Sequence, residues 1–143
     1  MTVTFCGHST LYDSDGSISA KLVEVLEQLV AEGANQFYLG GYGSFDALAA
    51  KTVKDLQKTH PQMHSTLVLP YLDREYNKEL YDDSTYPPLE EVPRRYAISR
   101  RNEWMVDQAD VVISCVDHGW GGAANTLEYA KRKKKRIISV MPE

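Results

Sequence analysis

Short apolar runs alternate with longer amphipathic stretches along the whole chain. Five runs, Thr2–Cys6, Gln36–Leu39, Ser65–Leu69, Asp110–Cys115 and Arg136–Val140, are rich in β-branched or aromatic residues, and the last two are nearly continuous apolar segments. Such runs suit strands buried on both faces of a parallel sheet. Between them, Ile18, Leu22, Val25, Leu26 and Leu29 recur at three- and four-residue spacing, with Gly33 placed to end a helix. A second helix is predicted from about Ser44, with Phe45, Leu48, Val53 and Leu56 on one face. A third is predicted over Arg95–Gln108 and a fourth over Ala123–Lys134. Strand–helix alternation implies right-handed βαβ units. The predicted fold is therefore α/β, a Rossmann-like three-layer sandwich. Its five-stranded, mostly parallel sheet should have strand order 3-2-1-4-5, with helices on both faces.

One segment breaks the pattern. Tyr71–Pro93 has poor periodicity and contains Pro87, Pro88 and Pro93. It is longer than a structureless connection usually is, so it is expected to be a functional loop or lid inserted in a single domain spanning residues 1–143. Seven acids there face only Arg74 and Lys78, and five of the nine tyrosines (Tyr71, Tyr76, Tyr81, Tyr86 and Tyr96) lie in or beside it.

Composition narrows the class. With 143 residues, 43% hydrophobic and 25% charged, the chain is long enough for one proper core and unlike a disordered segment. A net charge of −4 argues against a globally basic nucleic-acid binder. Two cysteines, Cys6 and Cys115, exclude a disulfide scaffold and a four-cysteine zinc site; buried small hydrophobes are the expectation. No run approaches the roughly 18 apolar residues of a membrane span, so the cytoplasm is the expected location. The basic run Lys131–Arg136 closes a helix, where cations complement the dipole.

In a parallel sheet all strand C-termini share one edge, and ligands bind outside it. Two glycine-rich strand-to-helix turns fall there. Gly40–Gly41–Tyr42–Gly43–Ser44 would bring backbone N–H groups and a helix start to an anion, with Ser44 as N-cap. A bare turn requiring positive φ is the alternative. The spacing is neither a Walker loop nor G-x-G-x-x-G, and Asp46 in the first helical turn would repel a phosphate. His118–Gly119–Trp120–Gly121–Gly122 forms the second turn. Arg94, Arg95, Arg100 and Arg101 cluster at the start of the third helix on the same edge; some would pair with the acidic loop, and Arg101 is the preferred ligand contact. His8 and His118 follow neighbouring strands and could hydrogen-bond a ligand or exchange protons, or simply pack.

Gly40–Ser44, then Arg101–Asn102 with Met105, Ala109 and Asp110, and finally Gly121–Gly122 with Glu128 together resemble the SLOG superfamily. These Rossmann-like proteins include the "lonely guy" phosphoribohydrolases. The resemblance covers nearly the whole chain and is strongest with small uncharacterised members. It implies a Rossmann-like fold and a site for nucleotides or nucleotide-derived ligands. Asn102 stands where the hydrolases have lysine, Trp120 where they have proline, and Ala124–Asn125 where they have Gly-Thr; Thr126 is displaced by one position.

The leading expectation is binding of an AMP-, ADP-ribose- or NAD-like ligand at the C-terminal edge, in a sensing or regulatory role. Gly40, Gly41, Gly43, Ser44, Gly121, Gly122 and Arg101 would take phosphate, while His8, His118, Trp120, Asn125 and Thr126 complete the site. A second reading makes the protein an N-glycosidic hydrolase or transferase with Glu128 as its catalytic carboxylate. A third makes the tyrosine-rich segment a protein-interaction surface. No cofactor is required by any motif, and no spacing marks a metal site. The expected partner is a small molecule rather than nucleic acid or membrane; homo-oligomerisation is left open.

Overall fold

The computed structural model describes every residue except Ser14, Arg74 and Glu143. Strands β1 (Thr2–Gly7), β2 (Gln36–Leu39), β3 (His64–Val68), β4 (Asp83–Thr85), β5 (Val111–Cys115) and β6 (Arg136–Ser139) form one sheet in the order β4-β3-β2-β1-β5-β6. Every pairing in it is parallel. The connecting helices are α1 (Ser17–Ala31), α2 (Ser44–Gln57), α3 (Ala97–Gln108) and α4 (Gly122–Arg132).

Period-two alternation divides the strands between two cores. Val3, Phe5, Phe37 and Ile113 pack with Ile18, Leu22, Phe45 and Val53 of α1 and α2. On the other face Cys6 and Val112 meet Val106 of α3 and Ala130 of α4. Helices thus cover both faces, and β5, buried at every position, lies in the middle of the sandwich. Among the described residues, no helix is long and apolar enough to cross a membrane.

The five predicted strands are present and keep their mutual order, but the sheet has six strands rather than five. The extra edge strand, β4, comes from the segment expected to be loop. Hydrophobic periodicity could not reveal Asp83–Ser84–Thr85, because polar hooks hold it in place. The Asp82 carboxylate accepts from the Ser65 N–H at 2.8 Å and from Gln57 Nε2 at 2.6 Å, and the Thr66 hydroxyl donates to Asp83 at 2.6 Å. A short, charged edge strand also discourages unwanted strand addition.

Parallel pairing brings the turns after β1, β2 and β5 to one edge of the sheet. Helix α3 runs back toward the start of β5, so its N-terminus lies on that edge too.

Candidate functional site

A cleft of about 350 Å³ opens at this C-terminal edge. The end of β1 supplies Cys6 to Thr10, the β2–α2 turn supplies Tyr42 and Asp46, and α3 supplies Ile98, Arg101, Asn102 and Met105. The β5–α4 turn closes it with His118, Trp120, Gly121, Gly122 and Ala123, beside Thr126 of α4.

The two glycine-rich turns end in nearly identical backbone. Gly43 caps α2 at φ 92° and ψ 175°, and Gly121 caps α4 at φ 95° and ψ 176°; neither helix has a side-chain cap. That region of backbone space is open essentially to glycine alone. Equal geometry does not give equal chemistry. At α2 the Ser44 N–H donates to the Ser9 carbonyl at 2.8 Å, and Asp46 accepts the Tyr42 N–H at 3.1 Å. The first turn of α2 therefore brings its own anion, and Gly40, Gly41, Gly43 and Ser44 do not line the cleft. Ser44 is the first helical residue rather than the cap. The start of α4 does line the cleft, and its first N–H groups, which have no partner within the helix, favour negative charge there together with the dipole.

Arg101 is 2% exposed. Its Nη1 donates to the carbonyls of Gly40 at 2.7 Å and Val68 at 2.8 Å, and Nε donates to Asn102 Oδ1 at 2.9 Å. It clamps the ends of β2 and β3 while presenting an edge to the cleft, so it is first a structural cation. Asp46 is its acidic neighbour. Burial pushes that carboxyl up to about 6, against the Tyr42 N–H and the Arg101 charge, which both pull it down.

Three aromatic rings form a stack on the opposite wall. The imidazoles of His8 and His118 lie 3.6 Å apart and 7° from parallel, and the Trp120 indole lies 4.0 Å from His118. The Asp117 N–H donates to His8 Nε2 at 3.1 Å, and Asp117 Oδ1 lies 2.7 Å from His118 Nδ1. Burial lowers the His8 pKa, the His118 neighbour adds to that, and Asp117 opposes it. The stack ends on Trp120, whose residue is 72% exposed. The large hydrophobic residues left exposed among the described ones are Tyr12, Tyr42, Leu72, Tyr96 and Trp120. All five sit in segments at this edge.

Other expected residues fall outside the cleft. Asn125 is exposed and does not line the cleft, whereas the buried Thr126 does line it, its hydroxyl donating to the Gly122 carbonyl at 2.9 Å. Glu128 is exposed beyond the cleft and ion-paired with Lys131 at 3.3 Å. Arg94 is engaged by Asp73 at 3.2 Å and stacks over Tyr71, and Arg100 pairs with Glu103. Arg95 stacks over Tyr96 and has no ion pair among the described residues. Cys6 and Cys115 are buried thiols pushed up to about 12 and about 11, chiefly by burial, so neither is a ready nucleophile. Ser9, Thr10, Ile98 and Ala123 line the cleft without having stood out in the sequence; no motif marks them.

No protein-family model matches the chain. It is 26% identical to the uncharacterized SPbeta prophage-derived protein YoqJ of Bacillus subtilis (strain 168), over 78% of this chain and 79% of that one. Among solved structures it resembles DNA processing protein A of Helicobacter pylori, in a structure describing a unique single-stranded DNA binding mode. The TM-score is 0.67 at 18% identity, over 100% of this chain and 66% of that one. DNA processing protein A of Streptococcus pneumoniae gives the same TM-score and identity, over 96% of this chain and 49% of that one. The Rossmann-like fold is thereby shared with longer proteins, of which this chain spans about two thirds and one half. These likenesses overturn the expectation of a small nucleotide-like ligand, along with the exclusion of nucleic acid. The net charge of −4 averages the whole chain, whereas the rim carries exposed aromatic rings and a helix start.

Proposed function

We propose that the C-terminal edge of this SLOG-type Rossmann-like domain binds single-stranded nucleic acid. Three features support the reading. The observation that carries it is the His8–His118–Trp120 stack, which ends in an exposed indole beside the start of α4. An unstacked base extends such a pile without regard to sequence, because every base has a π-face. Tyr42 on the facing turn, with Tyr12 and Tyr96 on the same edge, supplies further plates for successive bases. Phosphates find the N–H groups of Gly122 and Ala123 at the start of α4, and the guanidinium of Arg95, which has no ion pair among the described residues. A duplex keeps its bases stacked inside and cannot use the plates. The single-stranded DNA binding described for the H. pylori protein agrees with this reading.

Fluorescence anisotropy with a labelled oligothymidylate, the same length of duplex, and free AMP tests it. Saturable binding of the single strand, weaker binding of the duplex and loss of affinity with added salt are expected. Folded protein that ignores the single strand would reject the reading.

A further inference from the structure

The sheet register brings three metal-ligating side chains together from distant parts of the chain. Gly7 at the end of β1 pairs with Cys115 at the end of β5, and the His8 N–H donates to the Cys115 carbonyl. His8 therefore emerges beside Asp117 and His118. One carboxylate oxygen, Asp117 Oδ1, lies 3.2 Å from His8 Nε2 and 2.7 Å from His118 Nδ1. One donor atom from each residue lies within 4.8 Å of the others.

We propose that His8, Asp117 and His118 bind a divalent transition-metal ion of the zinc class. A tetrahedral ion with bonds of about 2.0–2.1 Å holds its donor atoms roughly 3.3 Å apart; the Asp117–His8 spacing of 3.2 Å matches this, and the Asp117–His118 spacing of 2.7 Å must open by about half an ångström. Two imidazoles and one carboxylate suit zinc, cobalt or nickel, whereas magnesium and calcium prefer oxygen alone. Both histidines line the cleft, so the fourth coordination position faces it and is open to water or to an oxygen of a bound molecule. The β1–β5 register brings the His8 backbone beside the turn that carries Asp117 and His118, while the rings themselves must turn to coordinate.

Coordination changes the stack. Lone pairs lie in the ring planes, so rings 3.6 Å apart and nearly parallel must fan open to aim at a common ion. His8 Nε2 then exchanges the Asp117 N–H for the metal, and His118 moves beneath Trp120. Metal binding is thus expected to register in Trp120 fluorescence.

The test uses chelator-stripped full-length protein titrated with Zn2+ by calorimetry and with Co2+ by visible absorption. One equivalent should bind, with a d–d spectrum of low-symmetry Co2+ and a change in Trp120 emission in a Trp104→Phe background. His8→Ala, Asp117→Ala and His118→Ala should each weaken binding at least about tenfold. His60→Ala and His64→Ala should leave it unchanged. Circular dichroism establishes that each variant is folded, and His8→Gln and His118→Gln repeat the test with closer side-chain shapes. Absence of one-equivalent binding, or equal affinity in folded His8 and His118 variants, overturns the assignment. The metal reading shares His8 and His118 with the proposed base-stacking platform but does not rest on it. The metal titration contains no nucleic acid, and oligonucleotide binding is measured on chelator-stripped protein, so failure of one is distinguishable from failure of the other.

Discussion

Arg101 on α3 donates to the carbonyl of Gly40 at 2.7 Å, joining residues 61 positions apart at the end of β2. Its second bond, to Val68, ties in β3, so one guanidinium closes three elements beneath the cleft. Replacing Arg101 with methionine keeps much of the volume but strands two buried carbonyls and leaves Asp46 without its cation. A loss of about 3–5 kcal/mol is expected, read by urea unfolding. Gly40→Ala probes the same joint from the other side. A Cβ there would fall 3.0 Å from Asp46 Oδ2 and 3.2 Å from the Arg101 guanidinium carbon, and about 1–3 kcal/mol should be lost.

Asp46 gives the joint a pH dependence of definite sign. Its folded-state carboxyl titrates at about 6 against an ordinary value of 3.8, so the folded chain holds that proton more tightly. The ionised form is therefore a destabilising contribution that grows as pH rises through this window and is complete above it. Asp46 still opens to the cleft, so water screens part of the effect and about 1–2 kcal/mol is expected. Comparing wild type with Asp46→Asn isolates the group. Wild type should lose stability relative to the variant between about pH 4 and pH 6.5 and level off above that, and a constant difference would count against a raised pKa.

The paired caps should respond unequally to alanine. Gly43 and Gly121 share the same glycine-only backbone, worth about 1–3 kcal/mol each. A Cβ at Gly43 would also come 2.6 Å from Ser9 Cα, while at Gly121 nothing lies within 4 Å. Gly43→Ala should therefore lower the melting temperature more than Gly121→Ala.

Strand β4 is expected to detach when its hooks are cut. Asp82→Ala removes the acceptor of Ser65 and Gln57 at once. The Leu69 N–H, which donates to the Thr85 carbonyl at 2.8 Å, should then exchange with solvent faster, while amides of β1 and β5 keep their protection.

These examples show what the sequence could convey. The continuous apolar run ending at Cys115, and the three- and four-residue spacing of Ile18 to Leu29, announce a buried strand and an amphipathic helix because burial sets their period. Asp83–Ser84–Thr85 has no such period, so β4 was invisible. The two glycine turns were legible as turns, and His118, Trp120, Gly121 and Gly122 do come together at the cleft. Their difference in chemistry was not legible, because it depends on Asp46 folding back onto the Tyr42 N–H and on Ser9 meeting Ser44. Arg101 was recognisable as a rim cation, but its burial under Gly40 is a tertiary fact. The His8–Asp117–His118 cluster has no recognisable spacing along the chain; only the β1–β5 register creates it.

The most direct test of the central claim is the affinity of Trp120→Ala for a labelled oligothymidylate, measured beside wild type at one salt concentration. Losing one base-stacking plate should weaken binding by about 1–3 kcal/mol, roughly 5- to 150-fold, in a variant that remains folded because the indole is exposed. Unchanged affinity in folded Trp120→Ala, or equal loss for single strand and duplex, would contradict the account.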